Sequence, residues 1–452
     1  MDNIKKLGQE SVVKLLIKYS VPAVIAMLVN AIYNVVDRIF IGQFAGEEAL
    51  AALTVAFPLM MIIFAFASLI GTGGSALLSI SLGQNNLKKS NHVFANTISF
   101  GLIVTGITLI GVFLNLDGLL SLFGASAETL GYAKSYMSII IGGFIFQMLS
   151  FILNSSVRTE GKPVLSMFAM MASAVTNIIL DYIFIGIFDM GVSGAALATI
   201  IGQFSGLSIL LSFYLRGKSQ LRLNIKDLIP DVKLILEIVS IGFASFVSTM
   251  GTSIAMAFMN VSLSSYGGLG AVTAMGAINS LYTFFIMPIM GITQGMQPII
   301  GYNHGAGLKT RVNQTLKYGI GVGMSFSILV FVLLQAFPTT FIGMFLDPSS
   351  ETIDIAVNGL RIYIAMLPLL SINIMGVSYF QSTAKGKTSM VLGMLRQFVI
   401  LVPMLLVLPS ILGLSGVWLA VPLSDGLAIL ATLVLLVSDT RGRQGINLLD
   451  AA

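Results

Sequence analysis

Residues 49–81 read ALAALTVAFPLMMIIFAFASLIGTGGSALLSIS, a stretch without a single Asp, Glu, Lys or Arg. At about 1.5 Å per residue, a helix of this length exceeds the roughly 30 Å hydrocarbon core of a bilayer. The stretch is too long and too continuously apolar for a barrel strand, in which apolar residues alternate with a period of two. Lipid offers no water to peptide groups, so the stretch must close its hydrogen bonds on itself as a spanning helix. Tilting, kinking or projection beyond the hydrocarbon takes up the excess length. Gly71, Gly73 and Gly74 are candidate kink points here, as are Pro22, Pro288 and Pro298 in other runs.

Outward from this run the same pattern fills the chain. Polar breaks separate twelve apolar runs, at 15–41, 49–81, 92–114, 130–157, 163–188, 193–215, 234–264, 270–302, 315–337, 352–380, 388–410 and 415–438. Hydrophobic residues make up 56% of the sequence and charged residues 10%, too little charge to cover a soluble protein of this length. The expected fold class is an all-α membrane protein of twelve transmembrane helices. The polar N-terminus is followed by no small-residue cleavage site, so the first run is read as a span and not as a removed signal peptide. Cysteine is absent, which excludes disulfides, a thiol nucleophile and thiolate metal sites.

Glycine punctuation repeats along the chain. Gly73 and Gly83 recur as Gly295 and Gly305, Ala52 as Ala274 and Phe123 as Phe345, all at an offset of 222. Glu128-Thr129 faces Glu351-Thr352, Gly161-Lys162 faces Gly386-Lys387, and Gly191-Val192-Ser193-Gly194 faces Gly413-Leu414-Ser415-Gly416. Six helices per repeat make the halves parallel, related by an axis along the membrane normal. The expected organisation is an N-terminal six-helix lobe at 1–215, a cytoplasmic linker at 216–233, a C-terminal six-helix lobe at 234–438 and a cytoplasmic tail at 439–452. With the N-terminus placed in the cytoplasm, 21 of the 24 Lys and Arg residues fall on the cytoplasmic side. They include Arg216, Lys218, Arg222, Lys226, Lys233 and Arg396; Arg38, Lys134 and Arg361 fall outside. That asymmetry satisfies the positive-inside rule and places both termini in the cytoplasm. It also accounts for the net charge of +5 without nucleic acid.

Three carboxylates lie within spans: Asp37 in the first, Asp181 in the fifth and Asp425 in the twelfth. Each costs about 2.5–3.5 kcal/mol at mid-bilayer on insertion scales, so a compensating role is expected. Asp37, Asp181 and Thr199 stand at one depth below the outer surface, on three helices of one lobe. Asn177 shares the helical face of Asp181, four residues away. Two carboxylates, a carboxamide and a hydroxyl form an all-oxygen set suited to a hard cation such as Na⁺, or to a proton shared by a close carboxylate pair. The structural alternatives are an ion pair for Asp37 and a helix-capping role for Asp181. Adjacent Arg38 is a poor partner for Asp37, since successive side chains on a helix diverge. The repeat places no oxygens opposite these positions: Met259, Pro403 and Val421 correspond to Asp37, Asp181 and Thr199. Asp425 either contacts substrate or pairs with Arg396 or a polar neighbour. Met275, Met287, Met290 and Met296 either line an accommodating surface or pack as ordinary core.

His92 and His304 are too far apart to argue a metal site. No GxxxxGK[ST] loop, nucleophile elbow or HExxH motif is present, so no ATP-driven or hydrolytic chemistry is expected and the chain is not read as an enzyme.

Residues Pro22 and Ile32-Tyr33-Asn34-Val35-Val36-Asp37, the run Asn177-Ile178-Ile179-Leu180-Asp181, Gly191-Val192-Ser193-Gly194-Ala195-Ala196 leading to Thr199, and Pro298-Ile299-Ile300-Gly301-Tyr302-Asn303 together resemble the MATE (multidrug and toxic compound extrusion) family, nearest its bacterial DinF-like and MepA-like branches. The resemblance covers essentially the full length. It implies an antiporter that releases organic, often cationic compounds as Na⁺ or H⁺ flows in, without a cofactor. It also implies a cation site of Asp37, Asn177, Asp181 and Thr199, with the Ala195 carbonyl, and a role for Pro22 and Tyr33 in bending the first helix. The NorM-like branch carries essential carboxylates in the seventh and tenth helices. Here those spans offer only Ser253, Asn260 and Asn373 among such positions, whereas Asp425 resembles an acidic position of the MepA-like branch. The expected function is cation-coupled multidrug efflux by a monomer in the bacterial inner membrane, with small organic molecules and lipids as partners and Asp425, Met287, Met290 and Asn373 as candidate substrate contacts. The rival reading is a lipid or lipid-linked sugar flippase of the same superfamily architecture.

Overall fold

The computed structural model describes residues 2–45, 47–126, 128–347, 350 and 352–443, and among these there is no strand. A short helix, Asp2–Gln9, precedes the spans. Helix α1 is Val12–Phe40, α2 Glu47–Gly83, α3 Leu87–Leu114, α4 Leu130–Thr159, α5 Pro163–Asp181 and α6 Gly191–Leu215. The continuous stretch Val232–Gly305 is two spans, because Gly268 adopts φ 64° and ψ −162°, a conformation that side chains at Cβ resist. Its arms 232–267 and 269–305 are α7 and α8. Helix α9 is Lys309–Ala336; α10 comprises Thr352–Tyr363 and Leu367–Ser382, bent by 52°. Helix α11 runs from Gly386–Met394 through a π-helical turn, Leu395–Leu401, to Val402–Leu412, and α12 is Leu414–Arg443. These are the twelve spans expected from the sequence.

Large apolar side chains point outward along them, such as Leu114, Leu215 and Ile107. A lipid solvent makes that arrangement favourable. Each half buries its own core. Ile63, Phe94, Phe144 and Leu210 belong to the first; Leu263, Ile278, Leu360 and Trp418 belong to the second. A third cluster joins the halves, with Leu7, Leu15 and Tyr19 packed among Ile289, Met296, Ile299 and Tyr379.

The halves meet closely on the face that carries the start of α1, called here the basic face, through a seam with the symmetry of the repeat. A Cβ on Gly83 of α2 would lie 2.0 Å from the Tyr302 carbonyl oxygen, and a Cβ on Gly305 of α8 would lie 2.0 Å from that of Ile80. The 222-residue offset relates both glycines and both carbonyls. Beside this crossing, Gly73 approaches Ile238 and Gly242 of α7, and Gly295 approaches Ser20 of α1. Residue 20 corresponds to 242 at the same offset. Backbones touch because side chains are missing, the usual means of close helix packing in membranes.

The glycines at 71–74 serve close approach, and α2 stays helical through them, as α1 does through Pro22 and α8 through Pro288 and Pro298. The irregular backbone lies elsewhere, in α10 and in three π turns. Pro368, in the first turn of the second α10 segment, is a sequence signal that could have located that break.

The connector between α6 and α7 is held by the first half. Glu160 accepts hydrogen bonds from Ser219 Oγ at 2.7 Å and from the Gln220 N–H at 3.0 Å. Asn91 accepts from the Arg222 N–H at 3.0 Å, and Asn96 accepts from the Asp231 N–H at 2.7 Å. The two His92 ring nitrogens face Asp231 at 3.2 Å and Asp227 at 3.5 Å. Burial raises the Glu160 carboxyl above its ordinary range, whereas the hydrogen bond to His92 lowers that of Asp231. Glu351, one member of the repeat, lies outside the described residues. So does 444–452 of the expected tail, and α12 continues past residue 438.

Candidate cation site and a second charge pair

Close packing of α6 on α5 begins with two glycines one turn apart. A Cβ on Gly206 would sit 2.6 Å from the Ala169 carbonyl oxygen, and one on Gly202 would sit 2.7 Å from that of Ser173 and 3.1 Å from Asn177 Cβ. This approach brings Asn177 Nδ2 to 3.4 Å from Thr199 Oγ1, one turn before Gly202. Helix α1 packs on the other side of α5. The carboxyl of Asp181 faces that of Asp37 there.

Asp181 is fully buried and Asn177 is 2% exposed. Neither carboxylate oxygen of Asp181, nor Asn177 Oδ1, receives a hydrogen bond from the protein. A buried carboxylate without donors is costly, and a second one beside it adds like-charge repulsion. A cation or a proton removes both penalties. The set holds two carboxylates, a carboxamide and a hydroxyl; the described residues gather no cluster of three or more His, Cys, Asp or Glu. Such donors suit a weakly bound alkali cation better than a tightly held transition metal.

Asp181 stands immediately before the π-helical turn Tyr182–Ile187, and Asp37 one helical turn before another, Ile41–Ala45, a local geometry frequent at functional sites. Above them Phe40 stacks on Phe44 with ring centroids 6.0 Å apart and meets Tyr182 at 6.3 Å, which ties the ends of α1 and α5 together. No residue type marks a π turn, so the sequence carries no sign of these. Ala195 is fully buried one turn before Thr199. Pro22 is buried and Tyr33 half-buried on α1. The Arg38 side chain lies outside the described residues.

Arg396 is not a loop residue of the basic face. It lies ten residues into α11 within the π turn, and its Nε donates to Asp425 Oδ1 at 2.6 Å. Of the open readings for Asp425, ion pairing with Arg396 is the one observed. Ser424 Oγ donates to the Arg396 carbonyl at 2.8 Å. The Tyr282 hydroxyl adjoins the guanidinium, and Tyr363 crosses Tyr282 edge-on with centroids 5.3 Å apart. Asn373 stands apart: its amide donates to Thr432 Oγ1 at 3.0 Å and to the Ala428 carbonyl, fastening α10 to α12. Met275 and Met296 are core residues, Met287 is half-buried and Met290 is 42% exposed.

The MatE family model matches residues 22–183 and 244–407, one block in each half. The multidrug export protein MepA of Staphylococcus haemolyticus is 30% identical over 414 residues, covering 90% of each chain. A structure of the MATE multidrug transporter DinF-BH superposes with a TM-score of 0.90 at 39% identity, covering 96% of this chain and 97% of that one. An outward-facing multidrug resistance MATE transporter of the MOP superfamily shares the fold, with a TM-score of 0.92 at 24% identity over 98% of this chain and 99% of that one.

Proposed function

Because the chain belongs to the MatE family of transporters, we propose that it exports small organic compounds, cationic or amphipathic, in exchange for Na⁺ or H⁺. The observation that carries this reading is Asp181, fully buried beside Asp37 and without a protein donor on either oxygen. Cation binding there is favourable only if the acids lie together, and antiport requires that affinity to differ between opposite-facing states. Asn177 and Thr199 complete the ligand set, with the Ala195 carbonyl adjoining. Pro22, through which α1 is helical in this state, is the point about which α1 bends during the cycle, and Tyr33 lies between it and Asp37. The acidic character of this site disfavours a flippase for phosphate-bearing lipids, which calls for basic groups.

Two lobes, 1–215 and 234–438, joined by the linker 216–233, rock about the seam, and the protein works as a monomer in the bacterial inner membrane. The seam closes the basic face, which corresponds to an outward-open state if that face is cytoplasmic. A cysteine at Lys218 is then shielded from external reagents in intact cells; labelling from outside would reverse the orientation.

The coupling ion is identified by dye efflux from everted vesicles under separately imposed Na⁺ and proton gradients. For the site, Asp37→Asn and Asp181→Asn each remove most cation binding by purified protein. The double variant is scarcely worse than either, because ligands of one ion are not additive. Additive losses would mean two separate sites, and unaltered efflux in folded Asp37→Asn protein would end the proposal.

A further inference from the structure

Arg396 and Asp425 form an ion pair inside the second half, between helices that apolar side chains could have filled. Removing such a pair in favour of apolar residues of similar volume is often neutral or stabilising, so packing gives no reason for its presence. Charges in spans are functional by default. The backbone around the pair is irregular on two helices at once. Arg396 lies in the π turn of α11. The break in α10 falls between Tyr363, whose ring meets Tyr282 beside the guanidinium, and Met366, whose thioether would lie 3.9 Å from a Cβ on Gly426, next to Asp425. Transporter binding sites are typically formed where spanning helices are discontinuous, and irregular backbone at membrane depth is tolerated where it is buried in protein or lines a cavity. Arg396 also retains access: its side chain is 22% exposed while that of Asp425 is 5% exposed. The Nε–H is engaged with Asp425 and the Tyr282 hydroxyl adjoins the guanidinium, and the two terminal amino groups still carry N–H donors beyond these contacts in a planar fork suited to a carboxylate.

We propose that Arg396 and Asp425, walled by Tyr282 and Tyr363, form a second binding site that takes substrates bearing a carboxylate together with a cationic group. The charge balance selects this class. A simple cation drawn to Asp425 strands the Arg396 guanidinium, and a simple anion drawn to Arg396 strands the Asp425 carboxylate. A buried charge left unpaired is heavily penalised. A ligand with both charges exchanges one ion pair for two and strands neither. This assignment rests on the export reading above.

The test compares rhodamine 6G, an ester and a cation, with its free acid, a zwitterion of the same ring system, as ligands of purified protein without any gradient. The double substitution Arg396→Met with Asp425→Leu removes both charges and keeps the volume. The ratio of the Kd of the acid to that of the ester rises about tenfold or more in the double variant, the discrimination expected when a charge-assisted fork is lost. A ratio equal to that of the wild type overturns the proposal, whatever happens to each affinity alone. A second readout needs no variant in the site. Trp418 is the single tryptophan, seven residues before Asp425 on α12 and so about 10 Å away. At equal occupancy of wild-type protein, the acid quenches its emission more than the ester does, and equal quenching overturns the assignment. If wild-type protein binds neither dye, the export reading fails first and this one falls with it.

Discussion

Replacing Gly305 by alanine tests the seam that closes the basic face. The added Cβ would stand 2.0 Å from the Ile80 carbonyl oxygen, a backbone atom that cannot rotate away. Carbon–oxygen contacts between helices settle near 3.3 Å, so α8 and α2 must separate by about 1.3 Å at their closest point. Overpacking of this kind costs about 1–3 kcal/mol. The penalty falls on the closed seam and vanishes once the halves part, so the open-to-closed ratio on the basic face rises by roughly 5- to 150-fold. The chain lacks cysteine, so Ser79→Cys provides a clean reporter. Ser79 is 1% exposed, directly under the crossing, with its side chain against Gly301. Protein in nanodiscs is treated with a membrane-impermeant maleimide that reaches both faces. Labelling of residue 79 accelerates in Gly305→Ala, and by symmetry of the contact in Gly83→Ala. Gly106→Ala, whose Cβ would meet nothing within 4 Å, serves as the control. Unchanged labelling in a folded Gly305→Ala protein would refute the argument that steric closeness at this crossing holds the face shut.

Gly202→Ala places a Cβ 2.7 Å from the Ser173 carbonyl oxygen and pushes α6 off α5, so cation affinity falls about tenfold while the protein remains in the membrane; an unaltered binding isotherm would separate helix packing from the site. The linker clasp responds to acid. The Asp231 carboxyl lies below its ordinary range, first through His92 and then through the Leu234 N–H. A depressed carboxylate contributes stability that is present above its unfolded-state value, near 4, and lost as pH falls through its lower folded-state value. Protection of 216–233 against proteolysis therefore holds at neutral pH and fails in strong acid. Asp227, on the other side of His92, and the backbone N–H of Lys233 share the cluster, and His92→Ala moves the loss to higher pH; an unmoved midpoint would show that His92 does not hold the linker.

The spans and the acidic site are legible for the same reason: lipid penalises charge and unpaired peptide groups, so helices and intramembrane acids stand out from a sequence. Asp37 and Asp181 carry that signal by themselves. Asn177 and Thr199 follow from helical spacing, and α5–α6 packing at Gly202 brings them together. Arg396 misleads because a lone arginine eight residues from the start of the run 388–410 resembles the edge of a shorter one. Its partner Asp425 is 29 residues away on a different helix, a distance at which spacing carries no information. The glycines 71–74 mislead for a related reason. A glycine looks the same in sequence whether it bends its own helix or admits a neighbour, and only the partner backbone distinguishes the two. The π turns after Asp37 and Asp181 have no residue signature at all.

Helix α1 belongs to the first half by sequence, yet its lower turns are seated in the second. Leu15 and Tyr19 pack with Ile289 and Met296, Gly295 and Gly291 press on Ser20 and Val24, and the upper turns reach Tyr182 through Phe40. It is a beam fixed at its two ends in different bodies. Rotation of one body against the other loads that beam, and a helix yields where its ladder is weakest. Pro22 lies between the two glycine contacts and has no N–H to give to the Lys18 carbonyl. Elastic strain from movement at one face thus concentrates within a single turn, about 22 Å along the helix from Asp37.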